Sequence, residues 1–448
     1  MPASRRSVFA LLLTAAAFSA AVAFRAPEQP PAAPSEPPPL TAGGPKFWKG
    51  NLHTHSLWSD GDDFPEMIAD WYKSHGYHFL ALTDHNVLSD GERWTAADTT
   101  PVRKLAVAKY VKRFGEAWVE RRVTTAKDKG KDTATERAQV RLKPLREFRS
   151  LLEEPAKFLL IPAEEITHKF KTKPVHMNGI NLRDPIKPID GADVTETVRA
   201  NMRQAEAAGK KSGWPGLVFL NHPNFGWGQT AEEMLAIQEL KFFEVFNGHP
   251  GVRNYGDATH ASTEKLWDII LALRLGKLKM PVVYGVGTDD AHGYHAFGAG
   301  KVNPGRGWCM VRAPYLSAEA VVRAMQAGDF YFGSGVTLAD VRTADGTLTV
   351  DIQGENGVTY KTEFFATMKD ADLDSQPTTD NDGKELAVTR RYSADVGKVV
   401  ATSTELKASY KLTGKELYVR AKVTSSKPHP NPYQKGDTET AWTQPLVP

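Results

Sequence analysis

The chain has 448 residues, of which 41% are hydrophobic, so it is long enough for two or three domains with sizeable buried cores. Its formal net charge is only +3, which argues against a protein that binds polyanions through bulk charge. The single cysteine, Cys309, excludes an intramolecular disulfide framework. Because Cys309 stands in an apolar run, we expect a buried side chain rather than a nucleophile.

The N-terminus has the pattern of a signal peptide over residues 1–23. Arg5 and Arg6 precede an apolar stretch over 8–22, and Ala21-Val22-Ala23 is an A-x-A cleavage site. The apolar stretch is shorter than the roughly 20 residues that a membrane-spanning helix needs. We therefore predict an exported protein, periplasmic or secreted, with no membrane span. The arginine pair also resembles a twin-arginine signal, which carries folded proteins.

Residues 24–45 form a Pro-rich linker, and from residue 46 to 334 short apolar runs alternate with helical patterns. This alternation is typical of an α/β fold with a mostly parallel sheet or barrel. The predicted strands are Phe79–Thr83, Phe158–Pro162, Val175–Asn181, Leu217–Asn221, Phe242–Phe246, Val282–Gly287 and Trp308–Arg312. The predicted helices are Phe64–His75, Glu232–Glu239, Glu264–Leu275 and Ala318–Asp329.

Residues 95–150 interrupt this alternation. Between Pro101 and Ser150 there are 15 Lys or Arg and 6 Asp or Glu residues, which indicates a basic, helical insertion. Two interpretations stay open, a solvated helical surface and a basic lid over an anionic substrate.

Residues 335–448 show strand-like alternation without a helical period of comparable length. The predicted strands are Thr347–Ile352, Thr359–Ala366, Leu386–Tyr392, Ala408–Leu412 and Leu417–Val423. We predict a small all-β, sandwich-like C-terminal domain. Because it has no clustered His or Cys, its expected role is to support or dock rather than to catalyse.

Residues able to bind a metal recur along the predicted strands. His53-Thr54-His55 places two imidazoles on one face of an extended segment, because alternate side chains of a strand share a face. The others are Asp60, His85, Glu164-Glu165, His176, His222, Asp289-Asp290 and His292. In α/β barrels the carboxyl ends of the strands converge on one face, so these pieces together predict one site. Imidazole and carboxylate ligands suit Zn²⁺, Mn²⁺ or Fe²⁺.

The motif order H-x-H, S-D-G, T-D-H, E-I-[ST], H-x-x-G, N-H-P and G-[ST]-D…H resembles the polymerase and histidinol phosphatase (PHP) family of metal-dependent phosphoesterases. The resemblance covers roughly His53 to His292, with a further stretch over Ala327–Tyr331. It implies a distorted (β/α)7 barrel with two or three metal ions at the carboxyl ends of the strands.

Carried over by position, the resemblance implies three sets of metal ligands. They are His53, His55, Glu165 and Asp290; then Glu165, His176 and His222; then Asp60, His85 and His292. Catalytic roles are expected for Asp60, His85, Glu165 and His292. Glu165 is favoured over Glu164 by the E-I-[ST] match, and Asp290 over Asp289 by the D-x-H spacing.

Several other residues are candidates for the site. Arg306, flanked by glycines, is a candidate phosphate contact, and Asn221 and Asn247 are candidates to orient substrate. His249 and His295 are candidate pocket residues.

These residues predict a hydrolase that cleaves phosphomonoesters or phosphodiesters with a metal-activated hydroxide. Its substrate would be a small phosphorylated or ester molecule. One alternative is amide, ester or carbamate hydrolysis by the same architecture, and another is a non-catalytic, metal-stabilised binding protein. Export and the low net charge disfavour nucleic acid, although the basic insertion leaves an extracellular nuclease open.

Overall fold

The structure, a computed structural model, describes residues 45–127 and 134–448. The predicted signal peptide, residues 24–44 of the predicted linker and residues 128–133 of the insertion lie outside the described residues. Within the described ranges, no helix is both long enough and apolar enough to cross a bilayer.

The described residues form 21 strands and seven α-helices. The strands are β1 (Lys46–Asn51), β2 (Phe79–Leu82), β3 (Arg93–Ala96), β4 (Arg121–Lys127), β5 (Ala134–Leu142), β6 (Leu159–Phe170), β7 (Lys173–Ile180), β8 (Leu217–Leu220), β9 (Phe242–Asn247), β10 (Tyr284–Thr288), β11 (Trp308–Ala313), β12 (Phe330–Gly333), β13 (Leu338–Ala344), β14 (Thr347–Ile352), β15 (Tyr360–Met368), β16 (Ser375–Gln376), β17 (Arg391–Tyr392), β18 (Lys398–Ser403), β19 (Lys407–Lys411), β20 (Glu416–Pro428) and β21 (Thr438–Thr443). The helices are α1 (Pro65–Ser74), α2 (Pro101–Phe114), α3 (Leu145–Leu152), α4 (Val194–Ser212), α5 (Ala231–Leu235), α6 (Thr263–Leu273) and α7 (Ala318–Gln326).

A 13-stranded sheet runs through the molecule in the order β10-β9-β8-β7-β6-β2-β1-β11-β12-β21-β20-β15-β18. Strands β1, β2 and β6 are parallel, as are β8, β9 and β10, whereas β7 is antiparallel to both of its neighbours. The predicted α/β class is confirmed, with a mixed rather than mostly parallel sheet. Within the described residues, the ladder has no strand pair that joins β10 back to β1. One isolated parallel bridge, between Thr54 and Ala291, joins the segments that follow β1 and β10.

Burial and capping explain the main elements. All four residues of β2 are buried, as expected for a strand that is covered on both faces. Helix α6 begins at Ser262, whose side chain accepts a hydrogen bond from Lys265 N–H, and it is buried along most of its length. Helix α4, which the sequence analysis did not identify, begins at the N-cap Asp193 and ends at Gly213 in the left-handed region.

The insertion is only partly helical, which corrects the prediction of a helical insertion. Strands β3, β5 and β4 form an antiparallel sheet. Along the chain, α2 lies between β3 and β4, and α3 follows β5. The sheet forms because β3 and β4 both pair with β5, a long-range pairing that local composition does not reveal. Apolar side chains of the insertion, among them Val107, Tyr110 and Val140, share a buried cluster with Leu57 and Trp58. The insertion therefore packs on the segment that carries Asp60.

The described C-terminal region contains strands and no helix, as predicted. The main sheet, however, continues from the preceding region into it. Strand β12 pairs with β21, so the 13-stranded sheet crosses the predicted boundary at residues 334 and 335. A second sheet, β13-β14-β19, contributes to a separate buried cluster together with β15 and β20. The predicted strand Leu386–Tyr392 is wrong except for its last two residues, since only Arg391–Tyr392 pairs, with β16.

Candidate metal centre

His53 and His55 lie in the extended segment that follows β1, with both imidazoles in the same cluster. Thr54 between them turns to the other side, where its hydroxyl lies 3.2 Å from the hydroxyl of Tyr72. Hydrogen bonds to the segment after β10 fix the backbone of this segment. His55 N–H donates to Ala291 O at 2.9 Å, and Asp290 N–H donates to His53 O at 3.0 Å. The alternation expected from H-x-H is therefore present.

Glu165 faces the cluster, and Glu164 faces away from it. In β6 the two side chains point to opposite faces, and the carboxylate of Glu164 accepts the N–H of Ile186. Glu165 Oε1 lies 3.0 Å from His176 Nδ1, and Glu165 Oε2 lies 2.6 Å from His85 Nδ1. Of the two candidates, only Glu165 stands within reach of the histidines.

Asp290 and Asp289 are separated in the same way. Asp290 Oδ1 lies 3.2 Å from His55 Nε2 and 3.3 Å from His53 Nε2. Asp289 instead accepts hydrogen bonds from the backbone N–H groups of residues 305–307 and from the Tyr72 hydroxyl, which fixes the loop after β10. Asp290 has a φ of 48°, a conformation that non-glycine residues adopt when the surrounding structure imposes it.

Four buried atoms at the centre of the cluster form no hydrogen bond of acceptable geometry with any described residue, although Glu165 Oε2 lies only 2.6 Å from His85 Nδ1. They are His53 Nε2, His55 Nε2, Glu165 Oε2 and Asp290 Oδ1. His55 Nε2 lies 3.5 Å from Glu165 Oε2, so the atoms converge on a common space. Buried polar atoms are rarely left unpaired, because the loss of hydration is not repaid. Two nitrogens and two oxygens that face each other in this way fit a divalent cation.

The described residues contain three groups of side chains that could each hold a metal ion, and within each group the ligand atoms lie within 4.8 Å of one another. They are His53, Glu165 and His222; His53, His55 and Asp290; and His55, Asp60, His85 and His292. Eight of the nine predicted ligands thus belong to at least one group, and the groups differ from the implied sets in three ways. His53 and His55 each belong to two groups, Glu165 belongs to one group rather than two, and His176 belongs to none, although its Nδ1 lies 3.0 Å from Glu165 Oε1.

Burial and the neighbouring histidines act in opposite directions on the pKa values of the carboxylates in the cluster. Burial by itself raises the pKa of Glu165, but His176 and His53 outweigh it and hold that pKa well below its usual range. Burial likewise opposes ionisation of Asp290, and His53 and His55 lower its pKa. Burial and the neighbouring His292 lower the pKa of His55 to about 3, so its ring is neutral and able to offer a lone pair.

Glu244 holds two of these histidines and was missed by the sequence analysis. It is buried in β9, and its Oε1 lies 2.6 Å from His53 Nδ1 and accepts a hydrogen bond from the Thr288 hydroxyl at 2.6 Å. Its Oε2 accepts His222 N–H at 2.8 Å and Asn247 Nδ2–H at 2.8 Å. A carboxylate on the far nitrogen of a metal-binding histidine fixes its tautomer and orientation. The only sequence signal was a lone acidic residue inside an apolar strand.

Asn221 and Asn247 orient carboxylates rather than an exposed substrate. Both are buried. Asn221 Nδ2 donates to Glu165 Oε1 at 2.9 Å, and Asn247 Nδ2 donates to Asp290 Oδ2 at 3.1 Å. These bonds fix the two carboxylates against rotation.

The prediction that Arg306 contacts phosphate is wrong in this structure. Arg306 is fully buried, and all five of its side-chain N–H groups donate to protein oxygens. The acceptors are Gly248 O, Gly298 O, Lys301 O, Asn431 O and Asn431 Oδ1. With no donor left over, the guanidinium instead ties the loop after β10 to the C-terminal region.

Many Lys and Arg side chains of the insertion form ion pairs with carboxylates. In the described residues, eight of them lie within 4.0 Å of a carboxylate: Lys109, Arg113, Arg121, Arg122, Arg141, Lys143, Arg146 and Arg149. His295, a candidate pocket residue from sequence, contacts one of these cations, since its Nδ1 lies 3.1 Å from Lys109 Nζ. It does not belong to any of the three metal-binding groups of the described residues. The pairing favours a structural surface over a basic lid.

Phe225 and His249 lie at the rim of the cluster. The Phe225 ring centroid is 5.1 Å from that of His222, and the His249 centroid is 5.5 Å from that of His292. Both side chains are half-buried, whereas His222 is buried. His249, a candidate pocket residue from sequence, therefore stands beside the site.

No family model matches this chain, and no curated protein matches it. Among solved structures, it is similar to a two-domain protein from Bacteroides vulgatus that contains a predicted PHP-like metal-dependent phosphoesterase, at 15% identity, with 91% of this chain and 97% of that chain covered and a TM-score of 0.36. A candidate metal-dependent phosphoesterase from Bifidobacterium adolescentis and an amidohydrolase from Chromobacterium violaceum are each 15% identical, over 55% of this chain and 87% of theirs, with TM-scores of 0.27. These likenesses are too weak to assign a family or a function.

Proposed function

We propose that the protein is a metal-dependent hydrolase that cleaves phosphomonoesters or phosphodiesters at two or three divalent ions, Zn²⁺, Mn²⁺ or Fe²⁺. The observation that carries the proposal is the convergence of four buried atoms, on His53, His55, Glu165 and Asp290, that form no regular hydrogen bond with any described residue. Structural zinc sites close with about four ligands, whereas eight ligand-type side chains fall here into three groups that share residues.

In this proposal His53, His55, Glu165 and Asp290 would hold one ion. Glu165 with His222 and His176 would hold a second, and Asp60, His85 and His292 would hold the third. Bound ions would supply an activated water nucleophile and polarise the ester oxygens. The protein contributes the geometry, because Glu244, Asn221 and Asn247 hold the ligands in place before substrate arrives.

We infer that β1, β2 and β6–β10 form a distorted barrel around this site. The bridge between Thr54 and Ala291 supports it, because it brings the segment after the first of these strands beside the segment after the last. We further propose that residues 1–23 are a signal peptide and that the protein acts outside the cytoplasm. Sequencing of the mature N-terminus tests this, and the expected first residue is Phe24.

The activity is tested with metal analysis and a panel of a phosphomonoester, a phosphodiester and an aryl ester, each with added Mn²⁺. Turnover of a phosphate ester is expected. Turnover of the aryl ester alone would favour the amide, ester or carbamate hydrolase. Stoichiometric metal with no turnover of any of the three would favour a binding protein.

His292→Ala tests the ligand assignment. We expect a folded protein with reduced metal content and much lower turnover. Unchanged turnover would contradict the assignment of the third set of ligands.

A further inference from the structure

Two aromatic rings form a wall along one side of the mouth of the metal centre. Phe225 packs against His176 and His222, with ring centroids 6.3 Å and 5.1 Å away. His249 packs edge-to-face on Phe225, at 6.2 Å and 88°, and also lies 5.5 Å from His292. The two rings therefore span the rim from the His176 and His222 side to the His292 side, a surface that we call the aromatic wall.

The aromatic wall borders the accessible part of the site. The side chains of His53, His55 and Glu165 are at most 1% exposed, but those of His85, His292 and Asp60 are 27%, 17% and 56% exposed. A substrate that reaches His292 therefore passes His249, which contacts it. Phe225 and His249 are themselves only partly buried, so both are open to contact with a ligand.

The loop that carries Phe225 is fixed in advance. Gly226 and Trp227 have φ values of 56° and 53°, so two consecutive left-handed residues turn the chain. The Trp227 ring stacks on His260 at 3.7 Å and 5°, and Asn224 Nδ2 donates to the carbonyls of Arg253 and Ala261. A wall held in this way loses little conformational entropy when a ligand packs on it.

Two hydrogen bonds also fix His249. Its Nδ1 accepts the backbone N–H of Gly251 at 3.0 Å, and its backbone N–H donates to Asn247 Oδ1 at 2.8 Å. These bonds hold the ring perpendicular to that of Phe225. Two rings at right angles offer a face and an edge, the arrangement in which a third aromatic ring packs well.

We propose that the aromatic wall determines substrate specificity. It binds a flat aromatic ring in the leaving group of the ester, while the scissile bond lies over the metal-binding side chains. The inference rests on the proposed function, and it assigns the substrate class as esters of arylmethyl or aryl alcohols. Phe225 and His249 act in it as specificity-determining residues, and neither takes part in bond cleavage.

The test compares benzyl phosphate with ethyl phosphate, because their leaving alcohols have similar acidity, so that the ratio of kcat/KM reports binding of the ring. Cyclohexylmethyl phosphate is the control for size. The metal-loaded wild-type protein should prefer the benzyl ester over both others, by about tenfold if the ring gains what a good aromatic contact provides. An equal rate for the cyclohexylmethyl and benzyl esters would overturn the assignment of an aromatic group.

The Phe225→Ala variant should lose most of this preference, mainly through a higher KM for the benzyl ester, and Phe225→Tyr should restore it. Trp214→Ala is the matched control, since Trp214 is 45% exposed and precedes the opposite end of β8. If Phe225 only supports the histidines, Phe225→Ala will lower the rates for all three esters and the metal content together, which overturns the inference.

The two proposals fail in different ways. If the wild-type protein binds metal and hydrolyses none of the phosphates, the proposed phosphoesterase activity fails. The same comparison with benzyl and ethyl acetate then tests the aromatic wall by itself. If all three phosphates are hydrolysed at equal kcat/KM, the proposed function stands and the aromatic wall has no role in specificity.

Discussion

The cluster around Glu165 and the insertion that packs beside it both gather charged side chains, but the two differ in how their polar atoms are satisfied. At the cluster, four buried atoms face each other and form no regular hydrogen bond with the described residues. In the described part of the insertion, eight cations lie beside carboxylates, and one buried guanidinium nitrogen, Arg103 Nη1, also forms no hydrogen bond. Exposed ion pairs of this kind contribute little to stability and leave few charges for a ligand.

The difference shows that the number of charged residues in a segment is a poor guide to function. Several buried ligand-type atoms that face each other without regular hydrogen bonds are a better indication of a ligand site, because such atoms are costly unless a ligand binds them. The following predictions test whether the cluster is a ligand site and whether the insertion is structural.

Glu165→Gln should have the largest effect, with Glu164→Gln as the matched control on the opposite face of β6. The amide replaces a carboxylate whose oxygens lie within 3.6 Å of His53, His55, His85, His176 and His222. We expect a loss of metal and of turnover greater than the roughly 10–100-fold loss that follows removal of a ligand's hydrogen-bond partner. Metal analysis and kcat/KM measure it, and equal losses in the two variants would contradict the assignment.

Glu244→Gln should weaken metal binding while the protein stays folded. The amide nitrogen or oxygen must then face His53 Nδ1, His222 N–H and the Thr288 hydroxyl, so at least one of these hydrogen bonds is lost. We expect roughly 10–100-fold weaker metal affinity. Isothermal titration with Mn²⁺ measures this, and wild-type affinity would show that Glu244 does not position the ligands.

Arg306→Lys should destabilise the protein rather than change phosphate binding. A lysine cannot supply the five N–H groups that the guanidinium donates, so buried carbonyls such as Gly298 O lose their partners. The expected loss in the free energy of unfolding is on the order of 3 kcal/mol. Urea unfolding measures it. A variant with wild-type stability but a raised KM for phosphate esters would restore the role predicted from sequence.

The smallest effect is expected at Glu66, which connects α1 to the insertion. Tyr110 hydroxyl donates to Glu66 Oε1 at 2.6 Å, and burial raises the pKa of Glu66 to about 7. Because this folded-state pKa lies above the unfolded value of 4.5, the folded protein takes up a proton. Its contribution to stability is complete below pH 4.5 and is lost as the pH rises through about 7.

Glu66→Gln should remove this component, so that the variant loses less stability than the wild type between pH 5 and pH 8. Urea unfolding across that range measures the difference. Parallel pH curves for the two proteins would show that the carboxyl is not protonated in the folded state.

The α/β class and most of the strands up to β11 could be predicted because apolar runs of four to eight residues are a local signal. His, Asp and Glu placed just beyond such runs are a local signal too. The H-x-H, T-D-H and D-x-H pieces, taken jointly and with the family resemblance, predicted that His53, His85 and His292 lie in one site.

The structure was needed to show what Arg306 binds and that Glu244 holds His53. For the two pairs of adjacent acids, the motif matches already favoured Glu165 and Asp290, and the structure supplies the physical reason. Adjacent residues of a strand point to opposite faces, and the pairing of that strand with its neighbours decides which face is inside. The sheet of the insertion and the continuity of the main sheet into β21 depend on pairing between residues far apart in the chain, which no local pattern encodes.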